Sequence, residues 1–140
     1  MEARDVCLML QDFLAQVCVE LELPPVQPVK KFATFRLNEE IEVQLRDLEP
    51  GFSFFSKVCA CPAKRREDLF LVLMRANYLG QMTGASRIGM SPDEKFLTLS
   101  LGLPYEMSYR TFRESLEDFV NFLLYWREEV HKFEAQERLL

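Results

Sequence analysis

Few residues in this chain could do chemistry, and their spacing keeps them apart. Cys59 and Cys61 flank Ala60, one residue closer than the usual zinc-knuckle pair. The single histidine, His131, lies far along the chain. Cys7 and Cys18 complete the thiols, and in a reducing compartment all four read as small apolar side chains. Ser-His-Asp catalysis would have to recruit His131 from an exposed terminal helix, where a surface histidine is the ordinary reading. Glu39 and Glu40 are adjacent, so in a strand they point to opposite faces and cannot share a substrate. The stretch Gly84-Ala85-Ser86-Arg87-Ile88-Gly89 has glycines but no Lys-Ser or Lys-Thr pair after it. It reads as a loose connection into a strand, not as a phosphate loop. No catalytic residue, metal or cofactor is expected, and the chain is read as a non-enzyme.

Charge narrows the partners. The net charge of -5 disfavours a phosphate backbone, so nucleic acid is a poor first partner. Lys64, Arg65 and Arg66 form the one basic cluster, read as a solvated helix start or as a docking point for an acidic partner. No apolar run follows a basic leader, and none approaches the roughly 20 residues that span a bilayer. A cytosolic protein without membrane insertion is expected. The 140 residues suit one domain, 1–140, with an ordinary globular composition.

The elements that must position these residues follow from periodicity. Val6, Leu10, Phe13, Leu14, Val17 and Leu21 make one apolar stripe, predicting a helix over about Ala3 to Leu21. Pro24 and Pro25 end it, and Pro28 keeps the linker extended. Three strands are predicted at Phe32–Leu37, Glu40–Arg46 and Phe52–Cys59, with Pro50-Gly51 turning between the last two. A second helix is predicted over Ala63–Gln81, with Leu69, Val72, Leu73, Ala76 and Leu79 on one stripe. Short strands follow at Arg87–Ser91 and Lys95–Leu103, around a turn at Ser91-Pro92-Asp93. Ser108 is a candidate N-cap for a last helix carrying Phe112, Leu116, Phe119, Val120, Leu123 and Val130, with a charged end expected to fray. The fold class is α+β, in the order α-β-β-β-α-β-β-α, with a twisted antiparallel sheet packed with three helices.

The remaining signal is apolar surface. Leu71, Met74, Tyr78 and Met82 occupy the side of the second helix opposite its core stripe. Burying each gives about 1.5–3 kcal/mol, and two copies across a two-fold axis double that. Association costs about 4–15 kcal/mol, so the balance allows a homodimer. The other reading is that the last helix covers this stripe.

Element order and length resemble the CesT-like (Tir chaperone) family, the class I type III secretion chaperones. The stretch that carries the resemblance runs Ala76-Asn77-Tyr78-Leu79-Gly80, Gly84, Ile88-Gly89-Met90, Asp93 and Leu97-Thr98-Leu99. The aromatic-rich end of the last helix, Phe119 to Trp126, is also similar. The basic start of the second helix departs from the layout, since acidic residues would suit the helix dipole better.

The resemblance implies a bacterial cytoplasmic homodimer that binds the N-terminal segment of one or more secreted effectors in extended form. It implies that the chaperone keeps them competent for export and helps deliver them to the apparatus, with the secretion ATPase as a further partner. Matching positions place the client on the first helix and the first three strands, with Leu8, Met9, Val19, Phe32, Phe35, Val43, Phe52 and Phe54 as candidates. The resemblance implies a dimer built largely through the second helix and the strand after it, with Leu71, Met74, Tyr78, Met82 and Ile88 as candidates. From pattern alone, core packing explains the client candidates as well as client contact does. The competing reading is an adaptor or regulator of the same fold that sequesters another factor.

Overall fold

The computed structural model describes residues 2–80 and 84–139, with side chains described from Leu10 onward except at 79 and 137–139. Its elements are α1 (Glu2–Glu20), β1 (Phe32–Arg36), β2 (Glu42–Asp47), β3 (Phe52–Ala60), α2 (Arg66–Asn77), a 3-10 turn (Tyr78–Gly80), β4 (Arg87–Met90), β5 (Phe96–Leu103) and α3 (Tyr109–Leu139). The sheet order is β1-β2-β3-β5-β4, with antiparallel pairing in the β1–β2, β2–β3 and β4–β5 ladders. The predicted α+β order is observed.

Two compact units are formed, residues 1–55 with 102–118 and residues 56–101 with 119–140. In the first, Leu10, Phe13, Leu14, Val17 and Cys18 put the predicted stripe of α1 into the interior, while Leu21 stays exposed. Glu22 ends α1 with a left-handed backbone, φ 53. Leu23 then donates to the Cys18 carbonyl at 2.9 Å and Glu22 to that of Val19 at 3.3 Å. This Schellman closure stops the helix before Pro24 is reached. Ser108 caps α3 as predicted, its Oγ accepting from the Thr111 N–H at 3.2 Å. Glu20 joins the two helices by accepting from the Tyr109 hydroxyl at 2.6 Å and pairing with Arg113 at 3.1 Å. Burial and that carboxylate push the Tyr109 hydroxyl up to about 12. Gly51 turns with φ +90, and a Cβ there would strike the Leu103 carbonyl oxygen, so no other residue fits without distortion.

The second unit departs from expectation at the start of α2. The helix begins at Arg66, because Arg65 is left-handed at the N-cap with φ 54. Its first turn therefore carries Glu67 and Asp68, the charge sign that the helix N-terminus favours. Arg65 bonds Asp68 at 3.2 Å and lies 4.7 Å from the Phe133 ring centre. Arg66 donates to the carbonyls of Pro62 at 2.8 Å and Glu94 at 3.3 Å. Two of the three basic residues thus make contacts within this unit. Leu69, Leu73 and Ala76 are the buried residues of α2, while Val72 of the predicted stripe is exposed. Asp93 makes the predicted turn, accepting from Ser91 Oγ at 2.6 Å and the Lys95 N–H at 3.1 Å, and these bonds hold its carboxyl below the usual range. On α3 the helix continues through Leu139.

One polar group in the first unit is costly. Asp47 ends β2 on the buried face, and its Oδ1 accepts the Glu49 N–H at 3.0 Å. Its Oδ2 is buried without a hydrogen-bond partner. Burial pushes this carboxyl up, against the Glu49 bond that pulls it down. A raised folded-state value means that the ionised form weakens the fold once pH rises through it, and that the penalty disappears as pH falls below the ordinary carboxyl range. Asp47→Asn is expected to gain about 1 kcal/mol at neutral pH. The gain should shrink on acidification, as urea denaturation at several pH values would show.

Candidate functional site

Among the described residues, the thiols, the histidine and the paired acids lie on different elements of the fold or on the turns between them. Burial and the Glu134 carboxylate push the Cys59 thiol up to about 11, which keeps it protonated and unreactive at neutral pH. Cys18 is buried, and His131 is exposed on α3. Glu39 and Glu40 sit before β2 begins, in a turn where Asn38 Oδ1 accepts the N–H groups of Glu40 at 2.7 Å and Ile41 at 2.9 Å. Gly84 has φ +62, and a Cβ there would lie 2.7 Å from the Phe122 ring. That glycine is required by a close aromatic neighbour rather than by a phosphate. Among the described residues no cluster of three or more His, Cys, Asp or Glu could hold a metal, and no helix is long and apolar enough to cross a membrane.

The candidate site is the surface around the start of β1. Lys30 is left-handed, φ 58, and closes a tight turn between Val29 and Phe32. The Val29 N–H donates to the Phe32 carbonyl at 2.8 Å, and the Phe32 N–H donates back at 3.1 Å. The turn holds two apolar side chains outward, Val29 at 72% and Phe32 at 56% exposure. Arg46 stacks on the Phe32 ring at 5.5 Å. Nearby in the chain, the C-terminal part of α1 and the linker enclose a groove of about 350 Å³, lined by Ala15, Val19, Leu23, Pro25, Val26 and Pro28 among others. Val19 is 78% exposed at its edge.

Backbone bonding completes the site. The Leu37 N–H donates to the Ile41 carbonyl, and the Asp47 N–H to the Lys31 carbonyl. With the β1–β2 register, these place residues 31, 33, 35 and 37 toward β2. Phe32, Thr34 and Arg36 then face away, on the terminal strand of the sheet. Phe32 is satisfied by Val29, and among the described residues nothing pairs with the outward N–H and C=O groups of Thr34 and Arg36, which leaves an open edge. An extended peptide can bond there and drop alternate apolar side chains onto the neighbouring surface.

The predicted client residues divide sharply. Val19 and Phe32 are exposed, whereas Phe35, Val43, Phe52 and Phe54 are core. These four correct the expectation that they contact a client, since their side chains are buried. Phe52 and Phe54 alternate with Ser53 and Phe55, so their own parity sends them inward, against Phe112 at 5.1 and 5.7 Å. Leu8 and Met9 lie outside the described side chains. Of the dimer candidates, Leu71 and Met74 are exposed on α2 and Tyr78 in the 3-10 turn after it, with Val72 of α2 exposed as well. Ile88 is buried and offers no side chain to a second copy, and Met82 lies outside the described residues. Val29, Leu23 and Val26 were missed because the linker reads only as an extended connector. The apolar pair flanking Lys30-Lys31 was the available signal.

Solved structures share this fold. A chain in the ExsC–ExsE complex matches with a TM-score of 0.71 and 14% identity, over 86% of this chain and 92% of its own. A chain of the HopA1–SchA chaperone–effector complex matches at 0.68 and 12%, over 87% and 95%. The Yersinia pestis type III secretion chaperone SycH, in complex with a stable fragment of YscM2, gives a match at 0.60 and 14%, over 81% and 96%. No protein-family model and no curated protein matches the sequence. The chain therefore has the fold found in type III secretion chaperone complexes.

The division between core and surface phenylalanines is measurable. Phe52→Ala should cost about 3–5 kcal/mol of stability, as buried aromatic truncations do. Phe32→Ala should cost less than about 1 kcal/mol in the same denaturant titration.

Proposed function

We propose that the chain, as one domain over residues 1–140, is a bacterial cytoplasmic type III secretion chaperone. It binds the N-terminal segment of one or more effectors in extended form, keeps them competent for export and helps deliver them to the apparatus and its ATPase. The observation that carries this reading is the open β1 edge at Thr34 and Arg36, beside the exposed Val29 and Phe32. Backbone bonds there are independent of client sequence, and the flanking apolar surface adds affinity without demanding a folded partner. The shared fold supports the same reading, since two of its solved counterparts are described as a chaperone in complex with an effector or a protein fragment.

A homodimer fits the same picture. Leu71 and Met74 on α2 and Tyr78 just after it leave apolar side chains exposed, with Val72 exposed beside them. A client that must be ordered on binding loses several kcal/mol, which calls for a contact area on the order of 1,000–3,000 Å². Two subunits supply that area more readily than one.

Co-expression with candidate effector N-terminal segments, followed by sizing, tests the client surface. Val19→Asp with Phe32→Asp should abolish co-elution and leave the fold intact, because both side chains are more than half exposed. Unchanged capture by this folded variant, or capture of a folded partner alone, would count against the reading. Sedimentation tests the assembly separately. The native chain should run near twice 16.5 kDa, and Met74→Asp with Tyr78→Asp should run as a single subunit.

A further inference from the structure

The linker between α1 and β1 reads Leu23-Pro24-Pro25-Val26-Gln27-Pro28, followed by Val29 and Lys30. The client reading uses only the side of it that lines the groove. Proline rings fix φ at about −65° at Pro24, Pro25 and Pro28. They also push the residue before each proline, here Leu23, Pro24 and Gln27, into extended backbone. Only Val26 is left without either restraint. Residues 23–28 belong to no helix or strand, and none of 24–28 makes a hydrogen bond with another described residue. The linker is therefore a short polyproline II chain with free carbonyl groups. It is bounded by the closure of α1 at Leu23 and by the Val29–Phe32 turn.

Three residues per turn give such a chain three edges. Leu23 and Val26 form one edge, and both are half-buried where the linker lines the groove beside α1. Pro24 and Gln27 form the second edge, and both are exposed. Pro25 and Pro28 form the third, along the same groove, with Pro25 exposed and Pro28 half-buried. Domains that read polyproline chains seat successive X-Pro pairs between aromatic rings, and the residue between the pairs points away from them. Here the pairs are Pro24-Pro25 and Gln27-Pro28, and the residue between them is Val26, which packs inward. A cation stands just beyond the second pair. Lys30 is exposed, and no carboxylate pairs with it among the described residues, whereas its neighbour Lys31 is held by Glu49 at 2.9 Å. The left-handed backbone of Lys30, φ 58, and the bonds of the Val29–Phe32 turn fix its place relative to Pro28.

We propose that residues 24–30 are a presented polyproline ligand for a partner domain of the SH3 kind, with an aromatic-lined groove and a carboxylate placed for Lys30. The prolines and the turn have already removed most of the segment's freedom, so little is lost on binding. The proposal goes beyond the client reading and does not depend on it. A client uses the groove and the β1 edge, whereas this partner uses the outward edges of the linker.

The test uses the full chain with no client present. The probe is a set of purified SH3 domains that bind Pro-X-X-Pro peptides followed by a cation, titrated into the isotope-labelled chain. Saturable binding is expected, with amide shifts centred on residues 23–31. Pro25→Ala with Pro28→Ala should weaken it at least about tenfold, through lost ring burial at both pairs. Lys30→Ala should weaken it about threefold, the loss of one exposed ion pair, and Lys31→Ala should leave it unchanged. Equal weakening by the two lysine variants would mean general charge attraction and would overturn the proposal. So would the absence of saturable binding by every domain up to about 1 mM, or full binding by a folded double-proline variant. Near-ultraviolet circular dichroism checks that fold. If the double-proline variant does not fold, Lys30→Ala decides: weaker binding supports the ligand, and unchanged binding overturns it.

Discussion

The ring of Phe112 lies within 5.1 to 5.7 Å of the rings of Phe13, Phe52 and Phe54. Those three come from α1 and from two positions of β3, and Phe112 itself from the first turns of α3. Each ring brings a large buried area, and tilted or edge contacts between them add to what burial alone gives. The first unit depends on this convergence. It anchors one face of the first three strands under two helices, and so dictates which side chains of those strands are left outside. Phe35, Val43 and Leu45 go in with Phe52 and Phe54, and Phe32, Thr34 and Arg36 are turned out by the same alternation. The exposed phenylalanine at the start of β1 is a geometric remainder of the buried cluster.

A second constraint is the obligation of every backbone group to find a partner. At β1 the obligation is met at Phe32 by the Val29 turn and left to solvent at Thr34 and Arg36. At β4 it is met at Ile88 by a side chain. An edge in water costs little, because water bonds the free groups. What an open edge does carry is availability. The same accounting that stabilises the sheet therefore also states where an extended segment can be received, strand by strand.

Much of this was legible in the sequence. The apolar stripes of α1 and α3, the alternation of β2 and β5, and the cap at Ser108 are local patterns, and local physics determines them. Long-range facts were not legible. Phe32, Phe52 and Phe54 are identical side chains in strand-like runs. Their fate depends on register against neighbouring strands, which no local window contains. The start of α2 lies three residues later than the pattern predicts, because a left-handed arginine is not a helix-start signal in sequence. What sets it is Arg65 reaching Asp68 and the ring of Phe133, a residue far along the chain. Ile88 was a dimer candidate only by its place on the strand after the second helix, while its burial comes from packing that only the fold reveals. Asn77 was visible as part of a signature but silent about its task, since a carboxamide has no periodicity.

The way the apolar residues are exposed bears on what they can do. Val29 and Phe32 sit on a two-bond turn, and Val19 on a helix whose opposite face is core. These side chains are presented by backbone that is already ordered, so a partner need not fix them on arrival. Association is limited by the freedom both sides give up, and an unfolded segment gives up most of its own. Only a receiving surface that loses almost nothing can hold such a segment and still release it. For the function proposed above, the stiff aromatic interior would then be a condition for binding something unfolded, because it would let nearly all the ordering cost fall on the bound segment.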